Sequence, residues 1–302
     1  MSAELPAAAR AGEAGARPGG TWGSALTTRE FAAIRSVGFE PVGQVFGAAV
    51  YAAGDARWYD CPGARGSSGA AAPAQPATQV SGRRDPGSFG PLVEAMYQAR
   101  LTAIDRIAAE CAGLGAHGVV GVRLSRGLFP LGGLEFTAIG TAVRAPGAAY
   151  GQRVPFTCGV SGQDFARLVM AGWVPAGLAL GISIGSRHDD RTTARQTRKW
   201  SGNVEVAGWT ELVNRSRHDA RRRLEGDVRR LGAEGVVIAG MQMGVRERDC
   251  PVIVGCRDHV VEVTFTGTAI ARFARAGQRR AGPALAVMAL DPQRRQSARI
   301  SI

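Results

Sequence analysis

The stretch "GLGAHGVVGV", residues 113–122, carries glycines at 113, 115 and 118 in the order G-x-G-x-x-G. That order is the fingerprint of a dinucleotide loop when a strand precedes it and a helix follows. Here the order is reversed: a helical pattern ends and an apolar, β-branched run begins. A second stretch, "RLGAEGVVIA" at 230–239, has Arg230 where the first has Gly113 and keeps L-G-A-x-G-V-V. What recurs is a helix stop, a turn and a strand. Gly115 and Gly232 suit a left-handed helix C-terminus, and Gly118 and Gly235 suit the entry into a buried strand.

Two further blocks recur in the same order. "FAAIRSVGFEPVG" at 31–43 returns as "FARLVMAGWVPAG" at 165–177, and "FTAIGTAV" at 136–143 returns as "VTFTGTAI" at 263–270. Self-similarity at fixed order predicts two copies of one unit. Each copy opens with a helix-cap pattern, Thr27-x-x-Glu30 or Ser161-x-x-Asp164, and a short helix that stops at Gly38 or Gly172. A strand follows, "EPVGQVFGAAVY" or "VPAGLALGISIG". Then comes a long helix with an apolar stripe: Val93, Met96, Tyr97, Ile104, Ile107, Ala108 and Cys111 in one copy. The other has Trp209, Val213, Ala220, Leu224, Val228 and Leu231. Two strands close each unit.

The expectation is an α+β protein of two tandem β-α-β-β units, each preceded by a short helix. The boundaries are a disordered N-terminus 1–26, a first unit 27–145 with a disordered insertion 63–88, and a linker 146–159. The second unit is 160–272, and 273–302 is a basic, largely disordered tail in which "ALAVMAL" can pack locally. The charged segment 186–200 is expected to be a loop. A sheet covered by one helix leaves a face that needs a partner, which predicts self-association through sheet faces or edges.

Composition narrows the function classes. The formal net charge is +12, but Lys199 is the sole lysine among the 37 basic residues, and the chain holds 42 glycines. This pattern fits a coding bias better than selection for an acidic partner. The five cysteines are odd in number and irregularly spaced. With no apolar leader and no apolar run of spanning length, they predict reduced thiols in a cytoplasmic protein without a membrane partner. No nucleophile, acid and base are spaced as a catalytic set, so a non-enzymatic role is expected.

The blocks "MYQARLTAIDRIAAECAGLGAHGVVGVRL", "LEFTAIGTAV", "RLEGDVRRLGAEGVV" and "HVVEVTFTGTAI" resemble the YbjQ-like family of heavy-metal-binding domains. The resemblance implies a dodecin-like β-α-β-β fold, single-domain members that form rings, and no reaction or catalytic residues to carry over. Tandem relatives place a Cys and a His just after the glycine of the first strand. Here the matching stretches read "GAAVYAA" at 47–53 and "GISIGSRH" at 181–188, with His188 alone nearby.

The residues themselves offer one metal candidate, "CPVIVGCRDH" at 250–259. Cys250, Cys256 and His259 supply thiolate and imidazole for Zn or another soft ion, and Glu247, Asp249 and Asp258 could add oxygens. His188, Asp189 and Asp190 form a weaker cation candidate. Cys111 reads as core, Cys158 as a linker thiol, and His117 as a solvated turn residue. The alternative function is binding of nucleic acid or another anionic partner through Arg215, Arg217, Arg221, Arg222 and Arg229 on the second long helix. That helix lacks the interleaved aromatics of a single-strand binder.

Overall fold

The computed structural model describes residues 23–52, 78–80, 89–129, 133–146, 154–198, 202–250, 257–273 and 288–289. The elements are α1 (Thr28–Ser36), β1 (Glu40–Ala52), β2 (Gln79–Val80), α2 (Gly90–Gly113), β3 (Gly118–Phe129), β4 (Gly133–Arg144) and β5 (Phe156–Thr157). They continue as α3 (Gly162–Met170), β6 (Trp173–His188), α4 (Arg191–Gln196), α5 (Ala207–Arg230), β7 (Gly235–Asp249), β8 (Arg257–Arg272) and β9 (Met288–Ala289). The fold is therefore α+β.

The strands form two sheets, ordered β1-β4-β3-β5 and β2-β6-β8-β7-β9. The central connectivity of both is the same: a strand, a long helix, then a hairpin whose second strand inserts beside the first. Both first strands carry a register shift at matching places, Pro41/Gly43 and Pro175/Gly177.

The short helices start as their caps dictate. Thr27 accepts from the Glu30 N–H while the Glu30 side chain accepts from the Thr27 N–H, and Ser161 accepts from the Asp164 N–H. Satisfying these orphan donors fixes where each helix begins. Gly38, Gly172, Gly115 and Gly232 lie at φ 83°, 81°, 67° and 66°, the left-handed conformation that ends each helix. Gly118 has a different reason: a Cβ there would sit 2.2 Å from the Phe156 ring.

The long helices lie close on their sheets because a glycine faces each one. Gly47 of β1 meets the backbone of Ala103 and Ile107, and Gly181 of β6 meets that of Ala220 and Leu224. The two faces of β6 are both buried. Ala179 packs with Leu224 and Val228 of α5. On the other face, Leu178 and Leu180 pack with Ala103, Ile104 and Ile107 of α2, and Ile182 and Ile184 pack with Val93, Met96 and Phe136. The Tyr97 hydroxyl of α2 donates to Leu180 O and accepts from the Ile182 N–H, closing part of the β6 edge. Near the chain's other end α1 meets α3, where Ile34 joins Phe165 and Leu168.

Several expectations change. Segment 186–196 is not a loop: β6 runs on to His188 and α4 follows, because Arg187 is buried and tied to Thr78, Glu211 and Asp190. Within 63–88, Gln79–Val80 form β2 on the edge of β6 at Gly185 and Ser186. His117 is half-buried, and its Nδ1 accepts from the Ala145 N–H at 3.0 Å. Cys158 is fully buried, and its N–H donates to Val119 O beside β5. Residues 1–22, 63–77 and 81–88, and the tail apart from 273 and 288–289 lie outside the described residues.

A candidate metal centre at the end of the second sheet

The strands β6, β8 and β7 reach their common end as two cross-strand rows. His188 pairs in register with Asp258, and Asp258 with Arg248; one residue along, Arg187 pairs with His259, and His259 with Glu247. Successive side chains on a strand point to opposite faces, so the rows face opposite ways.

The first row is compact. His188 Nδ1 lies 2.8 Å from Asp258 Oδ1, and Arg248 donates to Asp258 Oδ2 at 3.4 Å. Cys250 stands two residues after Arg248, on the same side. One ligand atom each from His188, Cys250 and Asp258 lie within 4.8 Å of one another. Asp258 is fully buried and Cys250 is buried, with the His188 side chain 14 % exposed. A carboxylate stripped of water needs charge or hydrogen-bond compensation, and Asp258 has it from an imidazole and a guanidinium. Among the described residues this is the one such group of three. Its donors are a thiol, an imidazole and a carboxylate, the types that bind zinc and ions of similar softness.

The second row is built differently. The His259 ring lies between two carboxylates, with Nε2 3.2 Å from Glu247 Oε1 and Nδ1 3.1 Å from Asp189 Oδ1. Trp209 packs on the ring at 4.6 Å and donates its Nε1–H to Asp189. The His259 contact, then that of Arg257, holds the Glu247 carboxyl below the usual carboxylate range. Asp190 caps α4 by accepting from the Thr193 N–H. Burial pushes its pKa up, but the bonds from Thr193 and Arg187 outweigh that and leave it lowered.

The sequence-predicted residues therefore part company. Cys250 meets His188 and Asp258; His259 belongs to the opposite face, held by Glu247 and Asp189; Cys256 lies outside the described residues. The expected grouping of His188 with Asp189 and Asp190 also dissolves, since Asp189 turns to Trp209 and Asp190 to Arg187 and the α4 cap. The signal that finds the group of three is parity. In the β6–β8–β7 register, residues 188, 258 and 248 align, and 250 follows 248 by one full pleat.

The arginine-rich helix pairs much of its charge within itself. Arg215 bonds Glu211, Arg221 bonds Glu225, and Arg222 and Arg223 share Asp219. Arg217 and Arg229 are exposed. Among the described residues, no helix is long and apolar enough to cross a membrane.

Comparison with known proteins gives two matches. The YbjQ-like family described as "Putative heavy-metal-binding" matches residues 84–146, which span α2 to β4 and exclude the three-residue group. The encapsulin nanocompartment protein Rv1762c of Mycobacterium tuberculosis is 33% identical over 256 residues, covering 82% of this chain and 85% of that one. No solved structure gives a significant match.

Proposed function

The chain belongs to the family of the Mycobacterium tuberculosis encapsulin nanocompartment protein Rv1762c, and from that premise we propose that it is a self-associating, non-catalytic protein that binds a soft metal ion. The ion would be held by His188, Cys250 and Asp258. In this reading the chain consists of two tandem dodecin-like units, and the second has acquired the metal-binding end. The shared strand orders and matched register shifts support the duplication.

The observation that carries the metal reading is the convergence of three unlike donors in a buried setting. Zinc sites use this mixture, and a thiolate favours soft ions over magnesium or calcium. His188 and Asp258 now contact each other, so an ion entering between them would take over the charge compensation that this contact provides. Arg248 would remain on the outer carboxylate oxygen as the group that orients the ligand.

The test is metal analysis of the purified chain with cobalt(II) as a spectroscopic probe. Cobalt bound through Cys250 gives a thiolate charge-transfer band. Cys250→Ser should abolish that band, and His188→Ala should weaken binding. His259→Ala, on the other face, should leave the band in place. A wild-type chain that takes up neither zinc nor cobalt refutes the metal reading. A band lost on His259→Ala restores the Cys250, Cys256 and His259 set instead.

A further inference from the structure

The junction between the two units predicts a second junction between chains. Inside the chain, the outer face of β6 rests on the α2 side of the first sheet. Leu180, Ile182 and Ile184 are at most 1 % exposed there. On the other side of that junction Leu124 of β3 packs into the shared core, and Arg126 forms an ion pair with Glu262 of β8. Both surfaces have equivalents elsewhere in the molecule, fixed by strand register.

Leu180 pairs with Thr266, and Phe46 pairs with Ile139, at the same place in each sheet. Phe46, Ala48 and Val50 are thus the counterparts of Leu180, Ile182 and Ile184. Phe46 is 53 % and Val50 47 % exposed. Leu124 pairs with Ala138 and Arg126 with Phe136, as Met241 pairs with Phe265 and Met243 with Val263. Met241 and Met243 are 45 % and 48 % exposed, and Val245 extends the strip at 55 %. Five of the large exposed apolar side chains therefore lie on the two faces that the internal junction uses elsewhere. Large apolar strips of this kind mark interaction surfaces.

We infer that these faces bind each other between copies: the Phe46–Val50 face of one chain covers the Met241–Val245 strip of the next. The contact deepens the self-association in the proposed function and rests on the equivalence of the two units. It is heterologous, joining unlike patches, so it closes a ring or extends a filament rather than making an isolated two-fold pair. The α5 surface beside the methionine strip differs from its α2 counterpart. Arg221 stands where α2 has Ile104, and Asn214 where it has Tyr97. The contact between chains is accordingly more polar than the internal one, and the methionines supply its adaptable apolar part.

Unlike patches give a decisive mixing experiment. Phe46→Glu blocks one face and Met243→Glu the other, both at exposed positions that circular dichroism should show to be folded. By light scattering after size exclusion, the wild type should exceed one chain and each variant alone should be a single chain. An equimolar mixture should form a complex of two chains and no larger species, because each variant retains one usable patch. If both variants assemble like the wild type, this interface is refuted while self-association by other surfaces stands. A wild type that remains a single chain refutes both the interface and the self-associating reading.

Discussion

The closest helix–sheet contacts make a sharp prediction about glycine. A Cβ added at Gly181 would lie 2.1 Å from Ala220 O and 2.8 Å from Leu224 Cβ; at Gly47 it would lie 2.2 Å from Ala103 O. An ordinary carbon–oxygen contact is roughly 3.3–3.6 Å. The helix must therefore retreat by about 1 Å, a gap that forfeits about a quarter to a half of the dispersion contact along its seam. Overpacking of this kind costs about 1–3 kcal/mol. The obstacle is helix backbone rather than a flexible side-chain tip, which places Gly181→Ala and Gly47→Ala near the top of that range, about 3 kcal/mol. Gly226 supplies the control. It lies within α5, and a Cβ there meets nothing within 4 Å. Gly226→Ala should stabilise by up to about 1 kcal/mol, through helix propensity and a less flexible unfolded chain. The same chemical change thus has opposite signs at positions 181 and 226. Urea unfolding with an unchanged m-value measures both. Gly47→Ala or Gly181→Ala at wild-type stability or above would refute the close helix–sheet packing.

Three further outcomes follow from named contacts. Tyr97→Phe removes the hydroxyl that serves Leu180 O and the Ile182 N–H, so it should lower stability by about 1–3 kcal/mol in thermal or urea unfolding. Burial pushes the Cys111 and Cys158 thiols up to about 12, so mass spectrometry after iodoacetamide at neutral pH should find both unlabelled until the chain unfolds. The Thr27 N–H, with help from the Thr27 hydroxyl and the Gly162 N–H, lowers the Glu30 pKa. A lowered folded-state value stabilises above the unfolded carboxylate pKa of about 4.3 and is lost as the pH falls through the lower native value. The stability gap between wild type and Glu30→Gln should accordingly be open at pH 7 and close in acid, as measured by unfolding at a series of pH values.

Much of the fold was legible because it rests on local chemistry. The caps at Thr27 and Ser161 and the stops at Gly38, Gly115, Gly172 and Gly232 each follow from a residue and its immediate neighbours. The stripes on α2 and α5 were readable from helical spacing, and Ile107, Cys111, Leu224 and Val228 are indeed buried. The segment 186–196 was misread because its charges suggested solvent. Arg187 is instead buried with two carboxylates and a threonine around it, partners drawn from up to 109 residues away. Charge in a sequence shows the need for compensation, not where the compensation comes from. Cys250 and His259, close in the sequence, have different neighbours for a related reason. Closeness along a hairpin does not bring side chains together when register sends them to opposite faces, and the register depends on pairings that sequence proximity does not reveal.

The same register locates the three-donor end of the second sheet relative to the family match. Residues 84–146 match the heavy-metal-binding family, yet His188, Cys250 and Asp258 all lie beyond them. Nor does the first sheet carry equivalents of the three donors among its described residues. β1 ends at Ala52, the counterpart of Ser186, two residues short of the position that His188 holds. Gly235 and Gly267 are 32 residues apart, whereas Gly118 and Gly140 are 22 apart, and Cys250 and Asp258 fall in the part of the longer hairpin farthest from those glycines. The metal proposal therefore stands on the extension of the β7–β8 hairpin, not on the family description of residues 84–146. It follows that deleting the donors should leave the packing of α2 against β6 untouched. The Tyr97 contacts with Leu180 and Ile182 sit about three pleats from His188 along β6, so Cys250→Ser should lose cobalt binding without the unfolding penalty expected of Tyr97→Phe. A parallel loss of stability of that size would show that Cys250 holds the sheet end together, and would count against its role as a ligand.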